Sequence, residues 1–190
     1  MRILIFLFII ISLIILVNAQ VVGVIIGEEG GAGGIGGVSV TTKLNHLYAG
    51  MWYKNNTGTI LPFVAPNVYY TLFFPNATDL RGFTHEGDFG TDSNLTAKYD
   101  GVYQATYMAV GSGLNNHLYR TSVFVNDIEK PECGNSHKMS AGGDIITQSG
   151  NCFITLYAGD VVKLKTADID ATGNGVYYSG NLNLLRVNLD

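Results

Sequence analysis

Asp100-Gly101-Val102-Tyr103-Gln104-Ala105-Thr106-Tyr107-Met108-Ala109-Val110 is an extended run opened by a glycine. Two later runs belong with it: Asn151-Cys152-Phe153-Ile154-Thr155-Leu156-Tyr157-Ala158-Gly159-Asp160-Val161-Val162-Lys163-Leu164, and Val176-Tyr177-Tyr178-Ser179-Gly180-Asn181-Leu182-Asn183-Leu184-Leu185. In the first run Tyr103, Ala105 and Tyr107 share one strand face; Val102, Gln104, Thr106, Met108 and Val110 share the other. Either set can lie between two sheets while the other meets a neighbour.

Outward from these runs the chain reads as short strands. Val38–Thr42 alternates. Leu47–Tyr53 and Thr59–Val64 are extended, separated by a turn at Lys54–Gly58. Val68–Phe74 is β-branched and aromatic, and a polar stretch from Thr78 to Asp92 has little periodicity. Asn94–Tyr99 and Tyr119–Val125 follow, with a polar loop holding Pro131, Cys133 and Gly134. Outside the N-terminal segment no window of 11 or more residues carries the i, i+3, i+4, i+7 spacing of a helix. Strands at intervals of about 8–12 residues predict an all-β fold, an antiparallel jelly-roll sandwich of about 8–10 strands.

The chain of 190 residues is the size of one ordinary domain. It is 47% hydrophobic and only 14% charged, which argues against disorder. The net charge of −4 and the lack of any Lys/Arg cluster leave no electrostatic footprint for nucleic acid.

Met1-Arg2, the apolar run Ile3–Val17 and the small residue Ala19 read as a signal peptide over residues 1–19, with the mature chain starting at Gln20. The alternative is an uncleaved anchor, the only membrane contact foreseen, although the run is short of the roughly 20 residues a span requires. Residues 20–44 hold the apolar tail Val21–Ile26 and a linker, Gly30-Gly31-Ala32-Gly33-Gly34-Ile35-Gly36-Gly37, too short and proline-free for a collagen helix. The tail could bury against the domain or be donated to a neighbour. The jelly-roll domain is then 45–190.

Export places Cys133 and Cys152, the only cysteines, in an oxidising compartment where a pair forms a disulfide. Metal binding with His137 is the rival reading, lacking the four ligands zinc prefers. Asn55-Asn56-Thr57, Asn76-Ala77-Thr78 and Asn94-Leu95-Thr96 are glycan acceptor triplets in polar, turn-like surroundings. Asp168-Ile169-Asp170 opens a stretch resembling half a calcium loop, but Ser179 stands where a bidentate glutamate belongs, so Ca²⁺ at Asp168 and Asp170 is a weak alternative to a polar hairpin loop. No other cofactor is implied.

Four motifs, in this order, resemble the C1q/TNF-like jelly-roll superfamily over residues 45–190. Gly101-x-Tyr103-x-Ala105-x-Tyr107 resembles the glycine-tyrosine strand of C1q-like globular heads. Val123-Phe124-Val125-Asn126-Asp127 is similar to the next strand and its Asn-Gly-type turn, with Asp127 in place of glycine. Leu156-x-x-Gly159-Asp160-Val161-Val162 and Tyr178-Ser179-Gly180-x-Leu182 resemble two later strands. Ala105 stands where the family has a large aromatic, and a collagen stalk is absent.

The resemblance implies a homotrimeric, non-enzymatic recognition or structural head: secreted, or displayed on a cell or virion surface, with an unknown protein or glycan ligand. Tyr103, Tyr107, Tyr178 and Leu182 are then core or trimer-packing residues, and Gly101, Gly159, Asp160 and Gly180 structural turn residues. Asp160 is expected to cap backbone donors. Loops 78–92, 127–145 and 166–175 would vary the contact surface.

Two other classes compete. One is a monomeric carbohydrate-binding sandwich using Trp52 and exposed tyrosines; the other is a hydrolase built on Glu86 and Asp88. His46, His85, His117 and His137 read as exposed loop histidines, with no nucleophile motif beside them.

Overall fold

The computed structural model describes residues 47–87, 92–140 and 143–187. The signal-peptide, tail and linker assignments, the Val38–Thr42 strand, His46 and Asp88 lie outside them.

Among the described residues twelve strands form two sheets: β1 (Tyr48–Phe63), β2 (Tyr70–Thr71), β3 (Asn76–Arg81), β4 (Phe83–Glu86), β5 (Asn94–Ala97), β6 (Gly101–Ser112), β7 (Leu118–Val125), β8 (Ile128–Glu129), β9 (Asn135–Lys138), β10 (Ile145–Leu156), β11 (Val161–Asp168) and β12 (Gly173–Arg186). A single 3-10 turn spans Pro131–Cys133, and there is no α-helix among the described residues. The first sheet has the order β10-β6-β12-β1-β3. The second runs β4-β5-β11-β7-β8, with β2 on β11 and β9 on β7. Every pairing is antiparallel, so the fold is the expected jelly-roll sandwich.

The two-residue alternation of β6 organises the core. Tyr103, Ala105, Tyr107 and Ala109 are buried between the sheets, and Val102, Gln104, Thr106, Met108 and Val110 face outward, half-buried. Met51, Leu182 and Leu184 from the same sheet join Leu72, Phe74, Phe83, Leu95, Val123, Val162 and Leu164 in one cluster. Burying such side chains is worth roughly 1.5–3 kcal/mol each. Edge-to-face rings tie the layers, Phe83 on Tyr103 at 5.4 Å and Phe74 on Tyr177 at 6.2 Å. The Tyr107 hydroxyl donates to the Thr121 carbonyl at 3.0 Å, spanning from sheet to sheet.

Local chemistry sets the turns. Asn126 and Asp127, at φ 51° and 62°, make the two-residue turn between β7 and β8, a left-handed pair that Asn and Asp tolerate. Gly159, at φ 95°, turns β10 into β11, where Asp160 Oδ2 accepts from the Tyr157 N–H at 2.8 Å and Oδ1 from Asn126 Nδ2 at 2.7 Å. At Gly180 a Cβ would run into the Met108 carbonyl, so only glycine lets β12 approach β6 there.

The structure corrects several sequence expectations. Leu47–Tyr53 and Thr59–Val64 are one strand, β1, because the expected turn is a register shift between Lys54 and Thr59 that keeps the pairing with β12. The featureless stretch after Thr78 contains the end of β3 and all of β4, while only Tyr70–Thr71 of Val68–Phe74 is laddered. The 127–145 loop holds β8, the 3-10 turn and β9. Of the 166–175 loop, only 169–172 lies outside strands. Gly101 starts β6 with a near-extended φ of 159°, so the leading turn sits before it.

Cys133 and Cys152 are disulfide-bonded, joining the 3-10 turn to β10 across 19 residues of sequence. Replacing both by serine is expected to lower unfolding free energy by about 3 kcal/mol through loop-closure entropy, read from urea titration.

Burial pushes the Tyr107 phenol up to about 12, and burial raises Tyr103, Tyr119 and Tyr177 in the same direction. The unfolded chain therefore loses these protons first. Stability should be at full value below pH 10 and fall progressively between pH 10 and about 12, measured as the urea midpoint against pH.

Candidate functional site

The two outer faces of the sandwich differ in chemistry. On the β7–β11 sheet, charge is paired in layers. Arg120 Nε meets Glu129 Oε1 at 2.8 Å, Lys163 bridges Asp92 and Asp127 at 3.1 Å each, and Lys165 reaches Asp127 at 2.8 Å. The Lys165 and Lys163 ammoniums hold the Asp127 carboxyl below its usual range. Lys165 also lies 4.9 Å from the Phe124 ring centroid, and Tyr69 packs on that ring and donates to Glu129.

The outer face of the β10–β6–β12–β1 sheet is built otherwise. Neither β6 nor β10 contains a charged residue. In β12 the one charge, Arg186, stands in register with the inward Tyr103. Across the four strands run register rows: Tyr48–Leu185–Gln104–Phe153, Gly50–Asn183–Thr106–Asn151 and Trp52–Asn181–Met108–Ser149.

Phe153 is 62% exposed, Ile145 66%, Trp52 43% and Leu185 40%. Between the first two rows lies a surface depression of about 430 Å³, walled by Tyr48, Leu185, Gln104, Thr106, Asn183 and Thr78. The depression lies over Gly50, which is buried under Asn183 and Thr78: a Cβ there would come 2.6 Å from Asn183 Oδ1 and 3.3 Å from Thr78 Oγ1. On its rim the Tyr48 hydroxyl donates to Asp79, which raises the phenol's pKa, and Arg81 lies over the Tyr48 ring at 5.4 Å.

The residues singled out in the sequence fall in different places. Tyr103, Tyr107 and Leu182 are fully interior, whereas Tyr178 is half-buried on the outer face near the Ser112 hydroxyl. Asn76 is exposed at the start of β3. Asn55 is half-buried and folded back on its own turn, accepting from Thr57 N–H and donating to Gly58. Asn94 is buried in β5, and its Nδ2, the atom a glycan would occupy, donates to Glu86 at 3.1 Å. Its surroundings are therefore not the polar turn the sequence suggested.

Glu86 is thus a packing partner of Asn94. His85 sits half-buried in β4 with Nε2 at 2.9 Å from the Phe74 carbonyl, and His137 is an exposed residue of β9.

Asp168 and Asp170 do not form an open loop. Asp168 is wholly buried at the end of β11, accepting from His117 Nδ1 at 2.6 Å and from the N–H groups of Asp170 and Ala171 at 3.2 Å. Asp170 accepts from the Leu118 N–H at 3.0 Å. No cluster of three or more His, Cys, Asp or Glu side chains among the described residues is placed to hold a metal. The spacing of His117 and Asp168, 51 residues apart, gave no hint of their pairing. Asp168→Ala strands these donors, so a loss of about 3 kcal/mol is expected, equal with and without chelator, in thermal or urea unfolding.

With this geometry in hand, comparison with solved structures gives a coherent answer. The chain is similar to a structure described as Eiger TNF from S. frugiperda, with TM-score 0.52, 12% identity, and coverage of 77% of this chain and 95% of that one. It is similar also to murine APRIL at pH 5.0, with TM-score 0.50, 10% identity, and coverage of 74% and 99%. At that identity the likeness is one of fold: the chain has the TNF/C1q-like jelly roll that its motifs resemble. No protein-family model matches the chain, and no curated protein matches it by sequence. No helix among the described residues is long and apolar enough to cross a membrane.

Proposed function

We propose that this protein is a non-enzymatic extracellular head domain, secreted or displayed on a surface, that assembles into homotrimers and presents its loops to a protein or glycan ligand. The observation that carries the reading is the charge-poor outer face of β10, β6, β12 and β1, where exposed Lys54 of β1, in register with Ser179, is the one outward charge. A face depleted of charge and carrying exposed aromatic and aliphatic residues has the composition of an interface core. Its size fits as well. β6 and β10 are each 12 residues long. Strands of that length measure ~40 Å, and four of them are ~19 Å wide. The resulting ~760 Å² is close to the ~800 Å² per partner of a standard interface.

The ion-paired face on the other side of the sandwich is solvated at little cost and suits the exterior of an assembly. The N-terminal segment supports export, and the disulfide fits an oxidising compartment.

Light scattering of the secreted chain at micromolar concentration is expected to give a mass three times that of one chain, unchanged by chelator. A monomer would overturn the trimer. It would favour instead a carbohydrate-binding sandwich, in which the half-exposed Trp52 stacks on sugar.

A further inference from the structure

We infer that the end of the sandwich around Arg186 is a binding site for an acidic sugar: the guanidinium takes the carboxylate of a uronic acid residue, and Tyr99 and Tyr157 receive its ring. This rests on the extracellular glycan reading above and names the class of sugar.

Arg186 is a cation without a counterpart. In β12 Leu182 and Leu184 point inward and are buried, and Arg186 follows in the same phase, in register with the inward Tyr103. It is half-buried, and its Nε is closed off from solvent with no hydrogen-bond partner. No carboxylate among the described residues pairs with it, whereas Arg81 holds Asp79 and Arg120 holds Glu129. A buried arginine is ordinarily paired, and a buried donor without an acceptor is destabilising. The acceptor that suits a guanidinium fork is a carboxylate, two oxygens in one plane.

The surroundings supply the rest of a site. The Val187 N–H donates to the Val102 carbonyl at 2.9 Å, which holds the end of β12 against the start of β6. The Tyr103 hydroxyl donates to the Tyr99 carbonyl at 2.8 Å, and Asp100 Oδ1 accepts from the Ala158 N–H at 2.7 Å. The Gly159 N–H donates to the Ala97 carbonyl at 2.8 Å, and the Ala97 N–H to the Asp160 carbonyl at 2.9 Å. Loops 98–100 and 157–160 are thereby fixed to each other at the end where β12 finishes. Out of them stand two rings, Tyr99 53% and Tyr157 63% exposed. A tyrosine held in a rigid loop offers an apolar ring with a polar tip at low entropic cost, which suits the apolar face and hydroxyls of a pyranose.

Charge selects the anion. Arg186 and Asp100 both act on the Tyr103 phenol: burial raises its pKa, Arg186 lowers it and Asp100 raises it. Asp160 lies in the second loop, where Oδ2 accepts from the Tyr157 N–H. Two fixed carboxylates close by repel a phosphate monoester, which carries nearly two charges at neutral pH, more than they repel a single carboxylate. A uronic acid residue brings one carboxylate on one ring.

Calorimetric titration of the full secreted chain with the galacturonic acid trimer tests the site. Its methyl ester keeps the rings and removes the charge. Binding of the acid is expected, with the ester at least ~10-fold weaker. Arg186→Lys keeps the charge but loses the fork and is expected to weaken the acid by ~10-fold. Tyr157→Ala and Tyr99→Ala should each weaken it several-fold. Arg186→Met adds a readout that needs no ligand. It removes the unpaired donor, so the urea midpoint is expected to stay level or rise, with native near-ultraviolet circular dichroism.

A fall in that midpoint would mean that Arg186 is paired within the fold, and the site is overturned. It is overturned equally by no binding of the acid, by equal binding of acid and ester, or by binding that both Arg186 variants leave intact. Light scattering separates this failure from that of the assembly. A monomer that binds the acid keeps the site without the trimer, and a trimer that ignores it keeps the trimer without the site.

Discussion

The register that holds β6 between β10 and β12 is the constraint on which the rest depends. β6 pairs with β10 residue by residue from Gly101–Leu156 to Ser112–Ile145, and with β12 over nearly the same length. Because side chains alternate with a period of two, this register fixes which half of three strands is core and which half is surface. Tyr107 pins it from within: its ring is buried and its hydroxyl is spent on the Thr121 carbonyl of the opposite sheet. A slip by one residue would bring Gln104, Thr106 and Met108 inward, with a polar amide and hydroxyl to satisfy. It would also move Gly180 off the one position where β12 can approach the Met108 carbonyl. Register and glycine therefore enforce each other.

From this register the two surfaces follow, with opposite economies. The outward positions of β7 and β11 carry Arg120, Lys163 and Lys165, each with an acidic partner from a neighbouring segment. Exposed pairs of this kind add little stability, but they keep that surface wet and disfavour its burial. The outward positions of β6, β10 and β12 carry threonine, asparagine, methionine, valine and phenylalanine. No local strand pairing requires that face to be neutral, since the other sheet forms its ladders with charged outward residues. The asymmetry is a property of the surface: one face pairs its charges outward, and the other carries few.

Much of the fold was legible because its central strands carry their own signal. The glycine-opened alternation of β6, the Gly159-Asp160 turn and the Ser179-Gly180 strand read directly, and Asn126-Asp127 read as a hairpin turn without glycine. The parts missed share a physical reason. β3 and β4 have exposed, polar sequences, Asn76–Arg81 among them, whose strand character comes from pairing with β1 and β5 and not from local pattern. β1 looked like two strands because Asn55, Asn56 and Gly58 spell a turn, yet the partner β12 continues through and carries the chain with it. The alternation in β6 left open which of its halves faced inward. The depression over Gly50 could not be read at all, since it is assembled from β1, β3, β6 and β12, which meet only in the folded sheet.

The edge of the first sheet shows how a long uncharged strand is closed to backbone pairing from outside. β10 is a long outer strand of 12 residues without a single charge, the kind of edge that invites another strand. Here that edge is blocked by the chain itself. The disulfide from Cys133 anchors the 3-10 turn against Cys152, and Asn135 Nδ2 donates to the Ser149 carbonyl at 2.7 Å. Gln148, buried, closes the same corner by donating to the carbonyls of Tyr119 and Asn135. With part of its polar backbone engaged and a covalent clip across it, β10 is a poor template for strand addition. What β10 leaves exposed is its outward row from Ile145 to Thr155, Phe153 among it, so that side chains and not free backbone define this surface.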